Sequence, residues 1–156
     1  MPLKEFDLED KIAVVIGGGR GIGRAIALAL AEAGADVVVA ARTLSEIEQT
    51  ASQVRNLGRK SVAVQADATK SAEIDKVVAA AISEGGKIDI LVNSAGAGVR
   101  KPIVPLPGYH PGWAKKQENF LKPTSEELWH RSIDSNLTSI FLATRAVGPY
   151  MIEQGK

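Results

Sequence analysis

The amino-acid sequence predicts an α/β fold in which a parallel β-sheet carries helices on both faces. First, short runs rich in Val and Ile recur between Lys11 and Asn93, as in strands that are buried on both faces. Second, helical patterns separate these runs, and uninterrupted strand–helix–strand repeats imply right-handed crossovers within a parallel sheet. Third, a glycine-rich turn directly follows the first run. We therefore expect a doubly wound sheet, with residues 1–156 in one domain.

The predicted elements alternate along this part of the chain. In the first helix, Ile22, Ile26 and Leu30 recur at helical spacing, and Gly34 follows as a stop signal. The strands are predicted at 12–17, 36–41, 61–66 and 88–93, and the helices between them at 21–34, 43–58 and 70–86.

The sequence changes character after the fourth predicted strand. Residues 97–123 are rich in proline and have no periodicity, so we predict a long loop of the kind that is usually functional or mobile. Thr124–Glu127 matches a capping box and predicts the start of a long helix over 124–154. Pro149 is expected to bend or end that helix. The predicted apolar face of the helix comprises Ile133, Leu137, Ile140, Phe141, Thr144, Val147 and Met151.

Composition and charge exclude several classes of function. The net charge is +1 and no basic stripe is present, which argues against nucleic-acid binding. No apolar run is long enough to span a membrane, and the N-terminus lacks an apolar signal segment. Cysteine is absent, and His110 and His130 have no acidic cluster around them, so no metal site is expected. We expect a cytoplasmic protein that binds neither nucleic acid nor membranes.

The segment Ile16–Gly23, with the sequence IGGGRGIG, is the strongest functional signal. Gly17, Gly21 and Gly23 lie at a predicted strand-to-helix junction, where glycine permits tight torsions and close approach of a phosphate to the backbone. A plain structural turn is the alternative. The position after the first strand of a repeated unit favours a phosphate cradle instead, and the absence of a following Gly-Lys-Ser/Thr disfavours a P-loop.

The end of the second predicted strand indicates which nucleotide is bound. In dinucleotide-binding folds, a position about 20 residues past the glycines meets the adenosine ribose, and an acid there accepts a hydrogen bond from the 2′-hydroxyl. This chain has Ala41 followed by Arg42, and Arg20 adds a positive charge in the glycine turn. Because arginine pairs well with a 2′-phosphate, NADP(H) is favoured over NAD(H). The alternative is that both arginines are solvated surface charges.

Four motifs now resemble the short-chain dehydrogenase/reductase family, and the resemblance extends from about Phe6 to Lys156. Three of them are the Gly17–Gly23 turn, Asp67 after the third strand, and Asn93-Ser94-Ala95-Gly96 after the fourth. The resemblance implies a Rossmann-like fold in which the turn holds the pyrophosphate, Asp67 receives the adenine amino group and the Asn93 segment contacts the nicotinamide-side ribose. The cofactor-binding residues it implies are Gly17, Gly19, Arg20, Gly21, Ile22, Gly23, Arg42, Asp67, Ala68, Asn93, Ala95 and Gly96.

The fourth motif, SIDSNLTSIF, implies that Asn136 is the family's catalytic asparagine. Its implied role is to hold a bend in the helix and a water in the proton relay. The chain departs from the family pattern at Ile16, where Thr is usual, and at Ser94, where a second Asn is common. Loop 97–123 is longer than usual and is expected to border the substrate mouth. Ser135 and Ser139 have no spacing that supports a catalytic triad.

The resemblance implies an oxidoreductase that transfers hydride between NADP(H) and a small carbonyl or alcohol substrate. The family's Tyr-x-x-x-Lys pair is not matched by Tyr150 and Lys156, because these residues are six apart in the sequence. The catalytic Ser, Tyr and Lys are therefore expected beyond Lys156, and this segment alone is expected to be inactive.

Helix 124–154 is expected to form a homo-oligomer interface. The alternative is a stand-alone nucleotide-binding module or subunit. Two alternatives remain open for the aromatic residues and histidine of the loop: they line the substrate mouth or are ordinary loop residues. These residues are Tyr109, His110 and Trp113.

Overall fold

The computed structural model describes residues 6–99, 101–105 and 122–155 of the chain. In these ranges, four strands form one sheet: β1 (Ile12–Ile16), β2 (Asp36–Ala41), β3 (Ser61–Gln65) and β4 (Ile90–Asn93). The strand order is β3-β2-β1-β4, and every neighbouring pair is parallel. The order reverses at β1, so a crevice opens at the carboxyl ends of β1 and β4, where open α/β sheets bind ligands.

Helices cover both faces of the sheet, which confirms the predicted doubly wound architecture. The helices are α1 (Gly21–Glu32), α2 (Leu44–Asn56), α3 (Ser71–Gly85), α4 (Glu126–Ile133) and α5 (Ser139–Glu153). Alternate residues of β1 point to opposite faces of the sheet. Ala13 and Val15 therefore pack with α1 and α2, while Val14 and Ile16 pack with α3 and α5.

The long helix predicted over 124–154 is interrupted by a π-helical turn at Asp134–Thr138, between α4 and α5. The wider turn shifts the helical register, and the predicted apolar face is therefore wrong in part. Leu137 and Phe141 are 62% and 57% exposed, whereas the buried stripe of α5 consists of Ser139, Ala143 and Val147.

Two local expectations about this helical region concern its N-cap, which is corrected, and Pro149, for which only the ending of the helix is excluded. The N-cap of α4 is Ser125, whose hydroxyl accepts from the Leu128 N–H at 3.2 Å. The Thr124 hydroxyl instead lies 3.2 Å from the Pro102 carbonyl oxygen, so it ties the preceding loop to the helix start. Pro149 does not end α5, which continues to Glu153 because Val147 and Met151 pack on the same core from both sides of the proline.

Within the described residues, no helix is long and apolar enough to cross a membrane. The same part of the chain contains no group of three or more acidic, His or Cys side chains that could hold a metal ion.

Candidate cofactor site

The glycine turn begins where β1 ends and is fixed by its neighbours on both sides. The Gly17 N–H donates to the Ala40 carbonyl at 2.7 Å, which anchors the turn to β2. Gly17 has φ +88°, and a Cβ there would lie 2.5 Å from the Ala95 backbone nitrogen. Both the torsion and the contact therefore require glycine at this position.

The other two motif glycines are required for different reasons. Gly23 lies in the first turn of α1, and a Cβ on it would collide with the carbonyl oxygen of Gly17. Gly21 has φ +54° with open space around it, so only its torsion favours glycine. The turn is thus folded back on itself, and it leads directly into the N-terminus of α1, where the first N–H groups have no intrahelical partner and an anion is favoured.

Arg20 and Ile22 lie on the outside of this turn. Arg20 is the N-cap residue of α1 with an extended backbone, and its side chain makes no capping hydrogen bond. It is exposed, as is Ile22, whose side chain is 77% accessible. Among the described residues no ion pair involves Arg20, and a guanidinium beside a helix N-terminus is well placed to pair with a phosphate.

Arg42 and Asp67 lie near each other where β2 and β3 end. Arg42 directly follows β2, is exposed, and accepts at its backbone carbonyl from the Gln65 side-chain amide at 2.8 Å. Partial burial acts to raise the pKa of Asp67, but hydrogen bonds from the Thr69 N–H and hydroxyl, with the positive charges of Arg42 and Lys70, hold that pKa below its ordinary value. Asp67 is therefore ionised at neutral pH and can accept from an amino group.

The Asp67 position is also fixed through its backbone. The Asp67 N–H donates to the Glu73 carboxylate at 2.6 Å, which joins the end of β3 to the first turn of α3. The next residue, Ala68, is buried and packs in the core on the α3 face. This short connection presents the Asp67 carboxylate at the same edge of the sheet as the glycine turn.

The Asn93–Gly96 segment forms the other wall of the crevice. Asn93 is the last residue of β4 and pairs with Ile16, and the Ser94 N–H donates to the Ile16 carbonyl at 2.8 Å. The Ser94 hydroxyl lies 3.0 Å from the position of a Cβ on Gly23, so it packs directly under the start of α1. Contact between this segment and the glycine turn holds both in one arrangement.

Asn136 lies in the π-helical turn and is brought against this wall. Its amide nitrogen donates to the Ala97 and Ser132 carbonyls, each at 2.8 Å, and lies 3.1 Å from the Ser135 hydroxyl. Its amide oxygen faces Gly96, where a Cβ would lie only 2.7 Å away. The structure thus connects two motifs that are 39 residues apart in the chain.

The remaining candidates lie away from this crevice or outside the described residues. Tyr150 is on α5 and 38% exposed, and His130 is exposed on α4. Lys156, Tyr109, His110 and Trp113 lie outside the described residues, as does most of the predicted loop.

The family resemblance implied a helix bend at Asn136, and a π-helical turn lies there. Sequence reasoning missed one feature of the site. Helix α2 braces the glycine turn: the buried Thr50 hydroxyl lies 3.4 Å from the Gly19 carbonyl oxygen, and a Cβ on Gly19 would lie 3.3 Å from the Glu46 carboxylate. The short link between β2 and α2 was the available signal, because it places the first turn of α2 beside the glycine turn.

A family model described as short chain dehydrogenase matches residues 11–156. The chain belongs to this family. An uncharacterised oxidoreductase of Mycobacterium tuberculosis is 48% identical over 96 residues, which cover 62% of this chain and 36% of that protein. A 2-dehydro-3-deoxy-D-gluconate 5-dehydrogenase of Pseudoalteromonas atlantica is 35% identical over 96% of this chain and 52% of its own length.

A similar solved structure is a 7α-hydroxysteroid dehydrogenase in complex with NADH and 7-oxo glycochenodeoxycholic acid. It is 31% identical, has a TM-score of 0.79, and is matched over 96% of this chain and 51% of its own chain. This short-chain dehydrogenase segment therefore spans about half or less of the length of these relatives.

Proposed function

We propose that this chain is the cofactor-binding part of an NADP(H)-dependent oxidoreductase that acts on a small carbonyl or alcohol substrate. The observation that carries the proposal is the crevice itself, where the glycine turn, the Asn93–Gly96 wall and two exposed arginines meet. Gly17 and Gly23 have no room for a Cβ, so the turn packs tightly against the wall and the start of α1, whose N-terminus lies at this edge of the sheet. These features fit a dinucleotide.

Each side chain has a distinct part in holding the dinucleotide. Gly17, Gly19, Gly21 and Gly23 let the backbone approach the pyrophosphate, with Ile22 covering the turn from outside. Asp67, kept ionised by its neighbours, accepts from the adenine amino group beside Ala68. Arg20 and Arg42 neutralise the 2′-phosphate. The residues of the wall that border the nicotinamide-side ribose are Asn93, Ala95 and Gly96.

The bound cofactor supplies hydride chemistry, and the protein positions it. We assign Asn136 to the catalytic machinery because the wall and the π-helical turn fix its amide oxygen beside Gly96. From there it can hold a water and order the path of a proton. Tyr150 has Gln154 four residues later where the family pattern has Lys, so we place the groups that move the proton outside residues 1–156.

An oligomer formed through α4 and α5 is part of the proposal. Trp129, Leu137 and Phe141 are each more than half exposed, and together they provide apolar surface on this helical region. A second copy of the chain that packs on this surface would remove it from water.

The test compares the binding of NADPH with that of NADH, and the fluorescence of the reduced nicotinamide monitors each titration. We expect NADPH to bind more tightly, and Arg42→Ala to weaken NADPH about 10- to 100-fold, as loss of a charge-assisted pair requires, while NADH changes little. Lys76→Ala, which removes one exposed positive charge on α3, is the control and should leave both unchanged. Equal binding of both nucleotides, or an unaltered preference in Arg42→Ala, would contradict the proposal.

A binding module without activity is the competing function, favoured by the absence of a matching Tyr and Lys among the described residues. NADPH oxidation in the presence of carbonyl compounds distinguishes the two. Cofactor binding without turnover in the full-length gene product would support the module.

A further inference from the structure

We infer that Glu46 is a specificity-determining residue, whose carboxylate weakens NADP(H) relative to NAD(H). The inference rests on the proposed function and names a group within that site that opposes the two arginines. Its basis is the position of the first turn of α2, which the sequence pattern did not reveal.

The glycine turn lies over the carboxyl end of β2. A Cβ on Gly18 would lie 2.7 Å from a methyl of Val39, a residue near the end of β2. Helix α2 begins at Leu44, only three residues after β2 ends at Ala41. The first turn of α2 is therefore held beside the glycine turn and directly after Arg42.

Glu46 fills the space between these elements. A Cβ on Gly19 would lie 3.1 Å from the Glu46 Cβ and 3.3 Å from its Oε2. The carboxylate thus lies against the residue that precedes Arg20, and it comes from the helix that Arg42 leads into. Among the described residues, Glu46 forms no ion pair with either arginine, so its negative charge is not neutralised by a direct contact.

Buried neighbours hold Glu46 in this place. Ile47 is fully buried and packs in the core on the α1 face. Thr50 is also fully buried, and its hydroxyl lies 3.1 Å from the Glu46 carbonyl oxygen and 3.4 Å from that of Gly19. The backbone of Glu46 is consequently fixed relative to the glycine turn, while its partly buried side chain remains within reach of a ligand.

The consequence is electrostatic and acts on one chemical group. NADP(H) and NAD(H) differ by the 2′-phosphate, which carries negative charge, whereas the pyrophosphate is common to both. A carboxylate against Gly19, the residue before Arg20, would repel a 2′-phosphate bound by the arginines and be compatible with a 2′-hydroxyl, which can donate to it. Glu46 therefore limits the preference that Arg20 and Arg42 create.

The experiment measures dissociation constants of NADPH and NADH for the wild type, Glu46→Gln and Glu48→Gln. Glu48 is exposed on the same helix and is not among the side chains nearest to a Cβ on Gly19, so its variant removes the same charge from α2 as a matched control. We expect Glu46→Gln to tighten NADPH about 3- to 10-fold, the effect of removing one nearby like charge, with NADH altered less than about 2-fold. Glu48→Gln should leave the NADPH-to-NADH ratio within about 2-fold of wild type, because a solvated charge is screened.

Glu46→Ala is a second neutral variant, and thermal unfolding establishes that each variant is folded. A ratio that is unchanged or lowered in the folded Glu46 variants would overturn the inference. So would equal tightening of both cofactors, because that result would mean that Glu46 acts on the turn and the shared pyrophosphate. Failure of the proposed 2′-phosphate site is recognised separately, by an unaltered ratio in Arg42→Ala.

Discussion

The glycine turn and the Asn136 turn lie on two sides of the Asn93–Gly96 wall and are built by different means. The glycine turn is held by backbone packing, in which Gly17 and Gly23 have no room for a side chain. The Asn136 turn is held by one side-chain amide that donates to the Ala97 and Ser132 carbonyls. The first should therefore tolerate no added atom, while the second should depend on hydrogen-bond chemistry.

The largest effect is expected from Gly23→Ala. The added methyl group collides with the Gly17 carbonyl oxygen inside a rigid turn, so we expect a loss of about 2–4 kcal/mol in unfolding free energy and loss of NADPH binding. Urea unfolding and fluorescence titration measure the two.

Gly148→Ala in α5 is the matched control, because a Cβ there meets nothing within 4 Å. Helix propensity predicts a gain of about 0.5–1 kcal/mol for that variant. Wild-type stability and binding in Gly23→Ala would mean that the turn adapts and is not fixed by packing.

Asn136→Asp tests the other turn. The substituted carboxylate cannot donate to the two carbonyl oxygens when it is ionised, so we expect a loss of about 1–3 kcal/mol at neutral pH, more than for Asn136→Ala. Denaturant midpoints at pH 7 and at pH 4 compare these variants.

The difference between Asn136→Asp and Asn136→Ala should narrow at the lower pH, because a protonated Asp regains one donor. A gap that is the same at both pH values would show that the turn is held by packing, as the glycine turn is.

Thr50→Val tests how much the Thr50 hydroxyl contributes to the glycine turn, apart from the packing of the Thr50 side chain. The variant keeps the buried volume and removes the hydroxyl near the Gly19 and Glu46 carbonyl oxygens, so we expect a loss of about 1 kcal/mol. NADPH affinity should fall only slightly if backbone packing dominates. A large loss of affinity at unchanged stability would show that the hydroxyl positions Gly19 for the ligand.

The smallest expected effect is the pH dependence contributed by Asp67. Its pKa in the folded protein is below the ordinary value of 3.8, so its contribution to stability is present above that value and is lost as pH falls through the lowered pKa. Since the carboxylate is only partly buried, the contribution should be below about 1 kcal/mol.

Comparing wild type with Asp67→Asn between pH 2 and pH 6 measures this contribution. If the unfolding free energies of the two proteins changed in parallel over this whole pH range, Asp67 would make no pH-dependent contribution to stability.

The exposed apolar face of the region from α4 to α5 is a third region of the molecule. Neither backbone packing nor a side-chain hydrogen bond explains its arrangement. Ser139, Ala143 and Val147 face the core in α5, and larger apolar residues such as Leu137 and Phe141 point outward. Periodicity predicted the larger residues as the buried face, because in soluble helices the bulkier apolar side is usually inside. The π-helical turn changes which residues face the sheet, and periodicity does not reveal it, although the family resemblance implies a bend at Asn136.

The sequence alone determined the alternation of strands and helices, the parallel sheet and the position of the glycine turn. These features depend on local periodicity and on the torsional freedom of Gly17 and Gly21, which act over a few residues. Only the tertiary structure decided the register of α5, the contact of Asn136 with the wall and the approach of Glu46 to Gly19. Those outcomes depend on how elements far apart in sequence pack together, and a one-residue change in a helical turn alters which side chains meet.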